Sequence, residues 1–351
     1  MKILSINPGS TSTKIAVYDE ENLQCLHTIR HTAEDLADFK SIYDQYEFRK
    51  NIILKKLADD DVDLKEIAAI VGRGGLMRPL ESGVYAVNQK MIADLRTGTE
   101  HASNLGAILA LEIAEQIPGC QSFIADPVVV DELQEVARIS GLPQFPRRSV
   151  FHALNHKAIG RKYAQTVGTN YEKLNLVIAH LGGGISVAAH KFGKVIDTNQ
   201  ALDGFGSFSP ERAGTIDAGA LIRMCFEGKY SQVEIQKMMA GKGGLVAHLG
   251  TNDTKLAAER AMNGDAHAKI ILEAMAYNVG KEIAALLAVF EGNVDAVILT
   301  GGIAHNLFVI NYIKRMIAPL AHLVVYPGED EMEALAFAGL RVLRGENPKV
   351  Y

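Results

Sequence analysis

Apolar positions along this chain fall into short continuous runs that stop at glycine or hydroxyl clusters. Ile3-Leu4-Ser5-Ile6 runs into Asn7-Pro8-Gly9, passes the hydroxyl residues Ser10, Thr11, Ser12 and Thr13, and leaves through Ile15-Ala16-Val17-Tyr18. This pattern predicts a strand hairpin with an unusually polar tip. A third strand is predicted over 23–30, and apolar residues at helical spacing predict a helix over 35–57. Residues 67–71 predict a buried strand entering Gly72-Arg73-Gly74-Gly75. A helix is predicted over 102–117, with His101 or Ser103-Asn104 as caps and Pro118-Gly119 as the stop. Residues 121–125 predict a strand that ends in Asp126. Strand, helix, strand in that order calls for a parallel α/β sheet with Asp126 on its carboxyl edge, where such sheets place ligands.

About 170 residues further on, the opening pattern returns. Asn175 to Leu181, the tip Gly182-Gly183-Gly184, and Ile185 to His190 repeat strand, tip and strand, followed by a turn and a third candidate strand. Two copies of one supersecondary unit predict two domains of like fold facing each other across a nucleotide. The Pro-rich segment 143–148 reads as a linker into a helix over 151–167. His152 then lies where one domain hands the chain to the other, a place for a cleft. A loop over 207–217 presents Arg212, and helices continue to Gly292. Gly241-Lys242-Gly243-Gly244 lacks the spacing of a phosphate loop, and Thr251-Asn252-Asp253 reads as a helix cap. A buried strand over 294–300 meets Gly301-Gly302 and a helix start. A last strand over 322–326 leads through Pro327-Gly328 into an acidic first turn containing Glu331.

Composition narrows the classes. The chain has 351 residues, 48% of them hydrophobic, and a formal net charge of −5, with a mean hydropathy of +0.06 and a pI near 6.1. Two domains with sizeable cores suit that length. The acidic balance argues against nucleic-acid binding. No apolar run approaches the roughly 20 residues of a membrane span, and no leader pattern precedes Ile3, so a cytoplasmic protein without membrane partners is expected. Cys25, Cys120 and Cys225 are far apart and odd in number, which predicts reduced core thiols.

The residues themselves suggest anion chemistry with alternatives open. Gly9 permits close backbone approach, and Ser10, Thr11 and Ser12 offer donors without bulk. A hairpin loop whose hydroxyls satisfy their own backbone would have the same sequence. Arg73 in its glycine turn is an anion site or a surface arginine. Pro127 and the run Val128-Val129-Val130 make a simple helix cap less natural for Asp126. Gly301 and Gly302 suit an anion at a helix start, an adenine lying on the main chain, or helix–sheet packing. Helix-dipole stabilisation accounts for much of the acidity around Glu331.

Five stretches together resemble the acetate kinase family of the actin-like ATPase superfold: residues 6–14, Phe151-His152, His180 to Gly184, Arg212 to Asp217, and Thr300 to Asn306. The resemblance implies two duplicated ribonuclease-H-like α/β domains around a central nucleotide cleft, 1–153 with 334–351 and 154–333, the latter binding adenosine. It implies reversible transfer of the γ-phosphoryl group of ATP to a short-chain carboxylate, giving ADP and an acyl phosphate, with Mg2+ and a homodimer or larger homo-oligomer. The motifs are most similar to family members acting on butyrate. Acetate, propionate or isobutyrate are the alternative acceptors, and a sugar is a more distant one. By the same resemblance Asn7 orients phosphate, His152 and Arg212 stabilise the transferring group, and His180 lines its path. Asp126 and Glu331 lie on the magnesium side, while Gly9 to Ser12, Gly182, Gly183 and Gly184 surround the phosphates. Gly301, Gly302, Ile303 and Asn306 cradle adenosine, and Arg73, Phe151 and His101 serve the substrate. Three departures stand out. Ile70 occupies the position of a family arginine, with Arg73 arriving later. Gly183 replaces an asparagine. The segment 203–212 is short, and Gly72 stands where a larger wall residue would be, both of which would enlarge an acyl pocket bounded by Phe151.

Overall fold

A computed structural model describes every residue except Thr99. Two compact units emerge: Met1–Val130 with Asp330–Tyr351, and Asp131–Glu329. The first contains a six-stranded sheet built from β1 (Lys2–Pro8), β2 (Ser12–Asp19), β3 (Asn22–Arg30), β4 (Ile67–Arg73), β5 (Val84–Ala86) and β6 (Gln121–Ala125), in the order β3-β2-β1-β4-β6-β5. β1, β4 and β6 run parallel, and the other pairings are antiparallel. The second contains β7 (Asn175–Leu181), β8 (Ile185–Lys191), β9 (Lys194–Thr198), β10 (Ala296–Gly301) and β11 (Leu323–Pro327), in the order β9-β8-β7-β10-β11. Strand for strand, this is the order β3-β2-β1-β4-β6, so the repeat legible in the sequence is a repeat of topology.

The central strands are buried on both faces, which is why they read as continuous apolar runs. In the first sheet Leu4, Ile6 and Ile70 pack toward the helix Leu105–Ala114. Ile3, Ala69 and Val71 face Gly339 on the helix Glu331–Leu343. In the second, Val177, Ala179, Val297 and Leu299 share a core with the long helix Ala266–Ala288 and the helix Leu307–Ile317. The alternate residues Leu176, Ile178 and Ile298 meet Ile159 and Tyr163 of the helix Ala153–Thr166.

Four details differ from the sequence reading. The helix expected over 35–57 is broken into Ala33–Leu36, a 3-10 turn Ile42–Gln45 and Tyr46–Asp59, because Thr32 with Asp35 and Ser41 with Asp44 each close a capping box and restart the chain. The boundary between units falls after Val130 rather than at 153, since residues 131–153 are tied to the second unit. Buried Lys157 pairs with Glu132 at 2.6 Å, the Gln134 N–H donates to the Ile196 carbonyl, and Arg147 reaches Asp197. All three cysteines are free, but only Cys25 and Cys120, half-buried, pack against the core of the first unit, while Cys225 is exposed. Among the described residues no helix is long and apolar enough to cross a membrane.

The fourth concerns Gly72. A Cβ there would lie 2.1 Å from the Gly106 carbonyl oxygen, and one on Gly106 would lie 2.2 Å from that of Arg73. Strand β4 and the helix Leu105–Ala114 thus touch backbone to backbone, and Gly72 opens no pocket. Gly72→Ala forces the two apart and is expected to destabilise the protein by about 3 kcal/mol. Urea unfolding checks this, and an unchanged midpoint would contradict the close contact.

Candidate active site

In the first unit, three parallel strands end side by side and each delivers one polar residue. β1 carries Asn7 one residue before its end, β4 ends with Arg73, and Asp126 immediately follows β6. The helix Glu331–Leu343 supplies a fourth at its first position. Asn7 Nδ2 donates to Glu331 Oε2 at 2.6 Å, and the Arg73 guanidinium lies 3.2 Å from the same oxygen and 3.4 Å from Asn7 Oδ1. One carboxylate oxygen therefore gathers an amide and a cation, while the helix dipole favours its charge. His101 caps the 3-10 turn Ala102–Asn104, its Nδ1 accepting from the Ser103 N–H. Burial, helped by the charge of Arg73, lowers its pKa below the ordinary value. Asp126 adopts a left-handed φ of 37°, a strained state for a non-glycine residue. Its Oδ1 accepts from Ser82 Oγ at 2.6 Å and from the Gly83 N–H at 2.9 Å.

The hydroxyl tip between β1 and β2 is braced from within. Arg49, fully buried on the helix Tyr46–Asp59, donates Nη1 to the carbonyls of Gly9 (2.9 Å) and Ser12 (3.1 Å) and Nη2 to that of Ser10 (3.2 Å). The His31 N–H takes the Thr11 carbonyl at 2.9 Å. Four consecutive carbonyls are thereby turned inward, and Ser10 and Thr11 remain exposed. Among the described residues Arg49 has no carboxylate partner; burial brings its pKa down to about 10, which leaves it cationic at neutral pH. A positive charge under a loop that hides its own oxygens favours an anion above it. Sequence reading missed Arg49, because one arginine among the charged residues of a surface helix carries no signal of its own. Its Nε and Nη2 also donate to Gln45 Oε1, four residues earlier.

In the second unit, His152 precedes the helix Ala153–Thr166 and His180 lies in β7. Their rings stack at 3.9 Å and 14°. His180 Nδ1 donates to Asn155 Oδ1 at 2.8 Å, and its Nε2 lies 3.3 Å from Glu329. His152 Nδ1 is 2.8 Å from Ser186 Oγ. Arg212 crosses the glycine tip so closely that a Cβ on Gly184 would lie 1.9 Å from its guanidinium, and it donates to the Ala201 carbonyl. Gly182 donates to the Gly184 carbonyl, and Gly183 is exposed, its carbonyl accepting from Ser209. Gly301 packs on Leu181, and Gly302 is exposed beside it.

The remaining sequence candidates are committed elsewhere. Ile303 belongs to the core, and Phe151 is 2% exposed with its ring edge-on to His156. The Asn306 side chain caps the helix Leu307–Ile317 and donates to the Thr254 carbonyl. Ser186, His156, His190 and Asn155 escaped the sequence reading, as buried polar residues inside strands and helices look like core. Among the described residues one group of three metal-capable side chains occurs, Cys25, His27 and Asp60, none of them an expected ligand. Lys56 and His27 already pair with Asp60 there.

With this geometry in hand, comparison with known proteins is direct. The family model described as the acetokinase family matches residues 144–339. Butyrate kinase 2 of Clostridium acetobutylicum is 52% identical over 98% of this chain and 97% of its own length. A probable butyrate kinase of Bacteroides thetaiotaomicron is 52% identical over 99% of both. The crystal structure of Porphyromonas gingivalis acetate kinase superposes with a TM-score of 0.82, covering 97% of this chain and 99% of that one at 19% identity. That likeness shows the fold, a two-sheet α/β fold of the actin-like ATPase type.

The buried histidines make stability sensitive to acid. Burial holds His156 and His190 well below the ordinary 6.5, so both are neutral in the folded state. Unfolded chains take up protons first as pH falls, so this stability is complete above pH 6.5 and is lost below it. Each group costs at most about 1.4 kcal/mol per pH unit. Urea midpoints at pH 7.5 and 5.5 should differ, with the acid value lower, and equal midpoints would count against neutral burial.

Proposed function

The chain belongs to the acetokinase family, and we propose that it transfers the γ-phosphoryl group of ATP to butyrate, reversibly, giving butyryl phosphate and ADP. The observation that carries this reading is half-identity to butyrate kinases along nearly the entire chain. A carboxylate is ionised at neutral pH and needs no general base, so the protein's task is charge neutralisation and alignment. Asn7 orients the phosphoryl group, and the hydroxyl tip over Arg49 receives phosphate oxygens. His152 and Arg212 donate to the equatorial oxygens of the group in transfer, and His180 lines its path. Gly182, Gly183 and Gly184 admit the phosphates of the nucleotide. Gly301 and Gly302 give adenosine a flat backbone to lie on, while Ile303 and Asn306 support that surface through the core and the helix cap. Arg73 meets the acceptor carboxylate with donors that Glu331 leaves over, and His101 stands behind it. Phe151 bounds the alkyl chain.

Mg2+ suits the oxygen donors Asp126 and Glu331, since this ion takes one or two carboxylates and completes its shell with water and phosphate. It would neutralise charge on the nucleotide. The same reading makes the unit Asp131–Glu329 the adenosine-binding one and places the enzyme in the cytoplasm. It also makes the chain a homodimer or larger homo-oligomer. The helix Ala218–Phe226 buries none of its residues, and Ile222 and Phe226 are exposed, an apolar surface suited to a second copy.

Acyl phosphate trapped by hydroxylamine, with ADP formation measured for acetate, propionate, butyrate and isobutyrate, tests the substrate. Each methylene buried is worth about 0.8 kcal/mol, so with two more methylenes butyrate should exceed acetate in kcat/KM by roughly 15-fold, and an acetate preference would sink the assignment. His152→Ala and Arg212→Ala are each expected to lower kcat by about 100-fold or more without unfolding the protein. Light scattering should find a multimer that Phe226→Glu weakens, whereas a monomeric wild type at micromolar concentration removes the oligomer from the reading.

A further inference from the structure

Behind His152 runs a continuous chain of hydrogen bonds into the interior of the second unit. Ser186 Oγ lies 2.8 Å from His152 Nδ1 and 2.8 Å from His156 Nε2. His156 Nδ1 lies 3.1 Å from His190 Nε2, and His190 Nδ1 lies 2.6 Å from the Tyr171 hydroxyl. Ser186, His156 and His190 are completely buried, and Tyr171 is 3% exposed. Nothing in phosphoryl transfer to a carboxylate uses them directly.

A chain of neutral imidazoles has a direction. Each ring carries one proton, donating on one side and accepting on the other, so fixing one link fixes all. His156 and His190 are neutral, because burial and the charge of Lys157 both disfavour imidazolium. The chain ends on the Tyr171 hydroxyl, a phenol that donates far better than it accepts, so its 2.6 Å bond to His190 runs from the hydroxyl to Nδ1, and passing that order along the chain puts the His156 proton on Nε2, the nitrogen facing Ser186. Nδ1 of His156 then accepts from His190 Nε2–H, and His190 Nδ1 accepts from the Tyr171 hydroxyl. At the other end, Ser186 Oγ accepts from His156 Nε2–H and from the His152 N–H at 3.4 Å. Both lone pairs are thus engaged, and the hydroxyl proton has one destination, His152 Nδ1.

We propose that Tyr171, His190, His156 and Ser186 are positioning residues that lock His152 into its Nε2–H tautomer, presenting a neutral N–H donor to the transferring phosphoryl group. The opposite tautomer would aim a lone pair at an anion. Stacking on His180 fixes the plane of the ring, and the relay fixes which nitrogen bears the proton. The part about the phosphoryl group rests on the function proposed above; the tautomer itself does not.

Histidine-15N NMR of the full-length protein reads the ring directly, with the His152 signals identified by their loss in His152→Gln. The wild type at pH 7.5 should show an Nε2–H ring. Ser186→Ala and Tyr171→Phe should both move His152 toward a mixture with the Nδ1–H form, and each should lower kcat roughly tenfold with KM for ATP unchanged. Tyr171→Phe acts from the far end of the chain and keeps the aromatic packing, so it serves even if Ser186→Ala folds poorly. An imidazolium or Nδ1–H ring in the wild type, or His152 signals unmoved in both variants, overturns the relay. Absence of acyl phosphate with every acid would overturn the functional reading while leaving the tautomer result standing.

Discussion

A loop that receives an anion must first dispose of its own carbonyl oxygens. Here that falls to one guanidinium, Arg49, which with the His31 N–H turns the carbonyls of Gly9, Ser10, Thr11 and Ser12 inward. A buried cation without a carboxylate partner is costly in most proteins. Three carbonyl dipoles, the Thr13 hydroxyl and the Gln45 side chain offset that cost here, and the charge remains available beneath the exposed hydroxyls. The parallel strands then add side chains to the same edge, because β1 and β4 run in register from Ile3 with Ala69 to Ile6 with Gly72, and Asn7 and Arg73 are the next residue on each strand.

The second unit meets the same demand with different chemistry. Its tip is glycine, which removes side chains instead of turning carbonyls, and Arg212 lies directly across it. Imidazoles take the place of hydroxyls: His152 hydrogen-bonds the Ser186 hydroxyl and His180 hydrogen-bonds the Asn155 side chain. One topology used twice thus carries a cation below the tip in one copy and above it in the other.

Much of this was legible in the sequence where local pattern and global fold agree. Strands β1, β2, β7, β8 and β10 announced themselves as apolar runs ending in polar or glycine tips, and the repeat between them was visible. Asn7, Arg73 and Asp126 followed from strand ends alone. What failed to show depends on distant pairing. Arg49 acquires its meaning from carbonyls forty residues away, and His190 is indistinguishable in sequence from any buried histidine of a strand. Gly72 was misread for the reverse reason: a missing side chain suggests space, yet the Gly106 backbone fills it. Ile303 and Asn306 sit in a motif whose side chains serve the core and a helix cap, so the motif marks a backbone shape more than a set of contacts.

Glu331 joins Asn7 and Arg73 from across 324 and 258 residues of chain, and it does so from a helix laid against β1 and β4. The unit Asp131–Glu329 is one unbroken segment, whereas the other waits for its last helix. During synthesis, the middle of the chain can therefore complete its fold while the first-made strands still lack the covering of one face. The Asn7–Arg73–Glu331 cluster cannot close before that helix is made, so an ordered cluster certifies that translation has passed it and that both segments of the first unit have met.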